Sequence, residues 1–203
     1  APEPRGLSEG LSDYFALTAV HWFRLGETDL QEEPLSVDEK VTFGEWVGKQ
    51  NLRRRAYDAS FVEAKQDAIG IEGIFDRLDQ PAFREPHEIG ELWCAILMAI
   101  HRRLSAALDG DWRRAHELGW RTIYDSLLLL EIGPSGPGLL HARDAVREAA
   151  ELLADELEEE IAMALSQAID HTFIDFHMGS TARGYGIDRD GIEGSQVPWA
   201  GGT

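Results

Sequence analysis

The sequence of 203 residues predicts an all-α protein. Apolar residues recur at helical spacing in several long stretches, and no succession of alternating apolar and polar residues indicates strands. Hydrophobic residues make up 43% of the chain, which is enough for the core of one ordinary domain. We therefore expect one helical domain over residues 1–187, followed by a flexible glycine-rich tail over residues 188–203.

The first predicted helix covers residues 7–23 and is apolar on nearly every face, so we expect it to be largely enclosed. It carries Glu9 and Asp13, which are four residues apart and therefore point the same way. Two like charges on an enclosed face cost several kcal/mol per ion unless a cation or hydrogen-bond donors compensate them. The alternative is that both carboxylates lie in the first turns, where the helix dipole favours acids, and face solvent.

Further helices follow an acidic loop over residues 26–41 and a mixed stretch over 42–74, for which irregular structure and short helices are expected. The second strong helix begins near Pro86, and its apolar residues at offsets 0, 3, 4, 7, 8 and 11 predict a buried core helix. These residues are Ile89, Leu92, Trp93, Ile96, Leu97 and Ile100. The same periodicity predicts helices over 112–130, 139–153 and 161–177, and the acidic run over 155–160 indicates a solvated helix face.

The composition argues against several classes of partner. With 37 acidic and 19 basic residues, the formal net charge is -18, so neither nucleic acid nor an anionic membrane is expected to bind. No run of about 20 apolar residues is present, so no membrane span is expected. The single Cys94 lies in an apolar stretch and predicts a buried thiol.

The sequence contains seven histidines, and some of them lie at spacings related to metal-binding motifs. His87 and Glu91 are one helical turn apart, a spacing that can bind zinc, but the second histidine of the helical zinc motif is missing. The segment beginning at His116 stops short of that motif because Trp120 is its fifth residue. His87 has a second possible role, since an imidazole N–H in the first turn of a helix can donate to a developing oxyanion. Packing or surface positions are expected for His21, His101 and His141.

The first helix contains the segment Ser8-Glu9-Gly10-Leu11-Ser12-Asp13. This segment resembles the Gly-Glu-Gly-Trp-Ser-Asp segment of the fungalysin-type zinc metallopeptidases, which are relatives of thermolysin. Segments at residues 44–46, 52–57, 87–93 and 142–146 occur in the family's order and at similar spacings. Arg183-Gly184-Tyr185-Gly186 is similar to an Arg-Gly-Leu-Gly near the end of such enzymes. The resemblance covers residues 6–187 and implies the helical C-terminal domain of such an enzyme.

The resemblance also implies site residues, a cofactor and a setting. Glu9 matches the third protein ligand of a catalytic zinc, and Asp13 matches a carboxylate that orients a zinc-binding histidine. His87 matches the histidine that stabilises the tetrahedral intermediate, and Arg53 the arginine that binds a substrate carbonyl. Secretion of the protein and a peptide or protein substrate follow from the same resemblance.

The sequence departs from the family in the part that carries the general base. The His-Glu-x-x-His helix is absent from these 203 residues, and in the family it shortly precedes the segment of Glu9. We therefore expect an upstream segment or chain to supply it, and neither proteolysis nor firm zinc binding by this chain alone. Leu11 stands where the family has a tryptophan. Ala82 stands where thermolysin-like relatives have an acid that orients the histidine matched by His87, so Asp79 or Glu85 would have to take that role.

Two other interpretations stay open. In one, the chain is a non-catalytic helical binding or interaction domain derived from the same fold. In the other, it is an independent metal-binding protein that uses His87, Glu91 and Glu9.

Overall fold

The computed structural model describes residues 2–27, 86–130, 137–176 and 178–179. It contains five α-helices, and these ranges contain no strand, which confirms the prediction of an all-α fold. The helices are α1 (Pro2–Glu27), α2 (Pro86–Ala107), α3 (Trp112–Leu129), α4 (Leu139–Ala154) and α5 (Glu159–Asp175). The loop expected over 26–41, the mixed stretch over 42–74 and the tail over 188–203 fall wholly or almost wholly outside the described residues.

Helix α2 forms the centre of the bundle. It packs against α1, α3 and α5, while α4 packs against α3 and α5. Because neighbours cover it on several sides, the predicted apolar positions are all buried, and the Trp93 ring stacks on Phe173 of α5 with centroids 6.4 Å apart. The prediction of a buried core helix is confirmed, and Cys94 is buried within it as a free thiol.

Helix α1 agrees with the expectation of a largely enclosed helix on all but one face, because only five of residues 7–23 are exposed and the others are buried or half-buried. Its buried positions Gly6, Gly10, Tyr14 and Thr18 recur every four residues and form one stripe. On the remaining face Val20 is 50% exposed and Phe23 is 68% exposed. The exposed positions of α1 therefore form one face, and this face carries apolar residues although it is open to solvent.

Glycines bring α1 and α2 into backbone contact. A Cβ atom on Gly10 would lie 2.6 Å from the carbonyl oxygen of Gly90, and one on Gly90 would lie 2.8 Å from the Cβ of Glu9. A Cβ on Gly6 would lie 2.4 Å from the side chain of Ile89. These distances are shorter than carbon atoms tolerate, so only glycine permits this crossing. The crossing holds the first turns of α2 beside the N-terminal half of α1.

Helices α4 and α5 are joined by a buried ion pair. Arg147 donates from Nε to Oδ1 of Asp170 at 2.8 Å, and both side chains are almost inaccessible to solvent. Arg143, also on α4, donates to the backbone carbonyls of Met178 and Gly179 at 3.0 Å each. The acidic run between α4 and α5 is exposed apart from Leu157, in agreement with the prediction of a solvated surface.

Candidate functional site

Two of the predicted site residues meet at the crossing of α1 and α2. Nδ1 of His87, in the first turn of α2, lies 3.2 Å from Oε2 of Glu9 on α1. The two side chains are 54% and 39% exposed, so each is held by the protein on one side and open to solvent on the other. A ligand approaching this surface can therefore contact both groups.

Asp13 lies one turn further along α1 but in a different environment. It is only 2% exposed, and its neighbour Tyr14 belongs to the buried stripe of the helix. The interpretation that both carboxylates simply face solvent is therefore wrong for Asp13, because the packing stripe turns it inward. Glu9, four residues earlier, stays at the edge.

The remaining predicted site residues do not complete a metal centre in the described structure. Arg53 lies outside the described residues, as do Asp79 and Glu85, so their predicted roles stay predictions. Glu91 is buried while His87 is exposed, so this pair does not share an open site. Within residues 2–27, 86–130, 137–176 and 178–179, no group of three or more metal-ligating side chains could hold an ion.

The metal-ligating side chains of the described site account for only part of a zinc centre. Catalytic zinc takes three protein ligands from histidine, cysteine and carboxylate side chains. The carboxylate of Glu9, whose side chain is 39% exposed, has the right chemistry for one of them. The described residues alone therefore provide at most part of a zinc site.

The structure also contains a histidine cluster that the sequence did not predict. We define it as His21 of α1, His101 of α2 and His116 of α3. Nδ1 of His21 lies 2.8 Å from Nε2 of His116, and the His101 and His116 rings have centroids 4.3 Å apart. Tyr14 adds a hydroxyl 3.2 Å from Nδ1 of His101. Three imidazoles thus join the first three helices.

Aromatic rings surround this cluster. Trp112 stacks on His101 with centroids 5.8 Å apart, and Trp22 meets His116 edge-on at 5.8 Å. Trp120 lies beside His116 at 5.3 Å and donates its indole N–H to the hydroxyl of Thr18 at 2.7 Å. Because these rings exclude water, the cluster is an apolar environment for its imidazoles.

Burial changes the protonation of the cluster. The pKa of His101 is lowered well below its usual value by burial, and further by His116, His21 and Arg102. The pKa of His116 is lowered to about 3 by burial and by His21. Both rings are therefore neutral near pH 7. Burial also raises the pKa of the Tyr14 hydroxyl above its usual range, so that hydroxyl keeps its proton.

A signal for this cluster is present in the sequence. Trp112, His116 and Trp120 recur every four residues on α3, and Tyr14 and His21 are seven residues apart on α1. Each spacing places its residues on one helix face. A stripe that combines histidine and tryptophan indicates a shared packing surface.

A comparison with known families identifies the class of protein. The family model described as Fungalysin metallopeptidase (M36) matches residues 1–168. The chain therefore belongs to the fungalysin family of metallopeptidases, as the segment resemblance indicated. No curated protein and no solved structure matches the chain.

Family membership has two direct consequences. It implies zinc in the complete enzyme, and fungalysins are typically secreted proteins. Among the helices that the structure describes, none is long and apolar enough to cross a membrane.

Proposed function

We propose that this chain is the part of a secreted zinc endopeptidase that contributes one metal ligand and the groups that stabilise the transition state. Glu9 is the metal ligand, Asp13 orients a histidine ligand from another segment, and His87 hydrogen-bonds the developing oxyanion. Arg53 binds a substrate carbonyl beside the scissile bond. The substrate is a peptide or protein, and no nucleic acid or membrane takes part.

The contact between His87 and Glu9 is the observation that carries this proposal. The two groups come from different helices, yet Nδ1 and Oε2 are 3.2 Å apart at an open surface. A peptide carbonyl bound beside Glu9 would bring its oxygen within reach of the His87 imidazole.

The residues of this chain act mainly through electrostatics. Zinc, when bound, would polarise the carbonyl of the scissile peptide bond and activate a water molecule. The imidazole of His87 donates a hydrogen bond to the oxygen that gains negative charge, and removing one such donor typically costs about 10²- to 10³-fold in kcat. The buried carboxylate of Asp13 accepts a hydrogen bond from a ligating histidine, which fixes the orientation of that ring.

A reconstitution experiment tests the proposal. The 203-residue chain is mixed with, or fused to, a fungalysin segment that carries His-Glu-x-x-His, and hydrolysis of a fluorogenic peptide is measured with zinc. We expect activity only in the combination, because the described residues offer one ligand where three are needed. Glu9→Gln should abolish the activity, and His87→Phe should lower kcat by about 10²- to 10³-fold with a smaller effect on KM.

The matched control is Glu151→Gln, which changes an exposed carboxylate on α4 and should leave activity unchanged. Full activity of Glu9→Gln would show that the ligand assignment is wrong. A stable complex with the added segment but no hydrolysis would favour the non-catalytic binding domain. Stoichiometric zinc retained by the isolated chain through dialysis would contradict the view that its metal site is incomplete.

A further inference from the structure

The surroundings of the histidine cluster disfavour protonation of His101 and His116. His101 and His116 are each 1% exposed. Nε2 of His101 and Nδ1 of His116 are buried without a hydrogen-bond partner. A proton added to either ring would therefore create a buried cation without a hydrogen bond at that nitrogen, which is among the costliest arrangements in a protein interior.

The neighbouring groups increase this cost. From α1, the cluster is faced by His21 and the neutral hydroxyl of Tyr14. From α2, Arg102 acts on His101 through its positive charge. From α3, Arg113 lies 5.4 Å from the ring of Trp22, which itself contacts His116. The residues that act on His101 and His116 through charge all disfavour an imidazolium.

We propose that the histidine cluster is an acid-sensitive contact between helices. It holds α1 against α2 and α3 while His101 and His116 are neutral, and it releases α1 when these two rings are protonated. Helix α1 carries Glu9 and Asp13, so release of α1 would also dismantle the candidate site. The inference concerns folding of this chain and does not depend on the proposed peptidase activity.

The sign of the effect follows from proton binding in the two states. An unfolded histidine has a pKa of about 6.5, whereas folded His116 has one of about 3. Below pH 6.5 the unfolded chain thus binds more protons than the folded one, and stability falls as the pH decreases. For His116, the unfolding constant should rise about 25-fold between pH 7 and pH 5. His101, whose pKa is also lowered by burial, changes stability in the same direction.

Urea unfolding at about pH 7 and about pH 5 measures this effect in the full chain. His116→Gln keeps a hydrogen-bonding side chain beside His21 but cannot titrate. We therefore expect the rise in its unfolding constant between about pH 7 and about pH 5 to be about 25-fold smaller than in the unaltered chain. His101→Gln should also reduce the pH dependence. His171→Gln changes an exposed histidine on α5 and should keep the pH dependence of the unaltered chain.

Hydrogen exchange of the unaltered chain locates the opening and does not require any variant to fold. After correction for intrinsic exchange rates, amides of α1 should lose protection at about pH 5 while those of α4 and α5, joined by the Arg147–Asp170 pair, keep theirs. Equal protection of α1 at both pH values would overturn the proposal. So would an unchanged pH dependence in both His116→Gln and His101→Gln.

Discussion

Replacing Gly10 by alanine tests the helix crossing on which the candidate site depends. The added Cβ would lie 2.6 Å from the carbonyl oxygen of Gly90, 2.9 Å from the Cβ of Trp93 and 3.1 Å from the backbone nitrogen of Cys94. None of these atoms is the far end of a flexible side chain. The methyl group can therefore be accommodated only if the two helices separate, by about 1 Å if the contact is to reach an ordinary 3.5 Å.

Two opposing effects set the magnitude. Alanine favours a helix over glycine by about 1 kcal/mol, which would stabilise the chain. Overpacking typically costs 1–3 kcal/mol, and about 3 kcal/mol is appropriate here because rigid backbone and Cβ atoms are involved. The net loss is about 2 kcal/mol, and for a protein of this size it corresponds to a fall in Tm of about 4–8 °C.

Thermal unfolding followed by circular dichroism gives the measurement. The matched control is Ser8→Ala, two residues away on an exposed position of the same helix, which should change stability by no more than about 0.5 kcal/mol. Gly90→Ala should resemble Gly10→Ala, because its Cβ would lie 2.8 Å from the Cβ of Glu9. A higher Tm for Gly10→Ala would refute the close crossing, since helix propensity alone predicts that direction.

Two further changes test contacts that hold the rest of the bundle. Asp170→Asn removes the negative charge from the buried ion pair with Arg147 and should cost about 3 kcal/mol, measured by urea unfolding. The exposed Asp155→Asn is its control, and an equal effect of both would contradict a special role for the buried pair. Thr18→Val removes the acceptor of the Trp120 indole N–H and should cost about 1–3 kcal/mol. A Thr18→Val chain as stable as the unaltered one would show that this hydrogen bond contributes nothing net.

The sequence predicted the helices well because their signal is local. The apolar positions from Ile89 to Ile100 cover more than one face of a helix, and α2 is buried as they indicate. Predicted ends also lie close to the observed ones: the helix expected over 112–130 is Trp112–Leu129, and that expected over 139–153 is Leu139–Ala154. Periodicity depends only on residues a few positions apart, so no knowledge of tertiary contacts was needed.

The sequence could not predict which helix covers which face. The apolar residues of α1 indicated enclosure, yet Val20 and Phe23 are exposed, because periodicity contains no information on the number of neighbours. Likewise, the spacing of Glu9 and Asp13 placed both residues on one helix face. It did not show that Asp13 is buried while Glu9 stays at the edge of the interface with α2. That difference arises from a contact between segments far apart in the chain.

The candidate site was predicted in its residues but not in its construction. Family resemblance singled out Glu9 and His87 without saying what brings them together. In the structure, Gly10 and Gly90 let the backbones of α1 and α2 touch. Gly10 is next to Glu9, and Gly90 lies about one turn after His87. A glycine has no functional group, so a search for chemistry in the sequence passes over it, although the distance between the reactive side chains depends on its missing Cβ.

Helix α1 is thus held by two contacts of different physical character. Near its N-terminus the glycine crossing depends on steric fit, which is insensitive to pH, and it determines the position of Glu9. Further along, His21 joins the histidine cluster, whose contribution depends on the imidazoles staying neutral. Gly10 and His21 are eleven residues apart, about 16 Å along a helix, so a change at one is not expected to alter the packing of the other. Proton uptake by the cluster can therefore weaken the hold on α1 while the geometry at Glu9 and His87 stays intact until the helix departs.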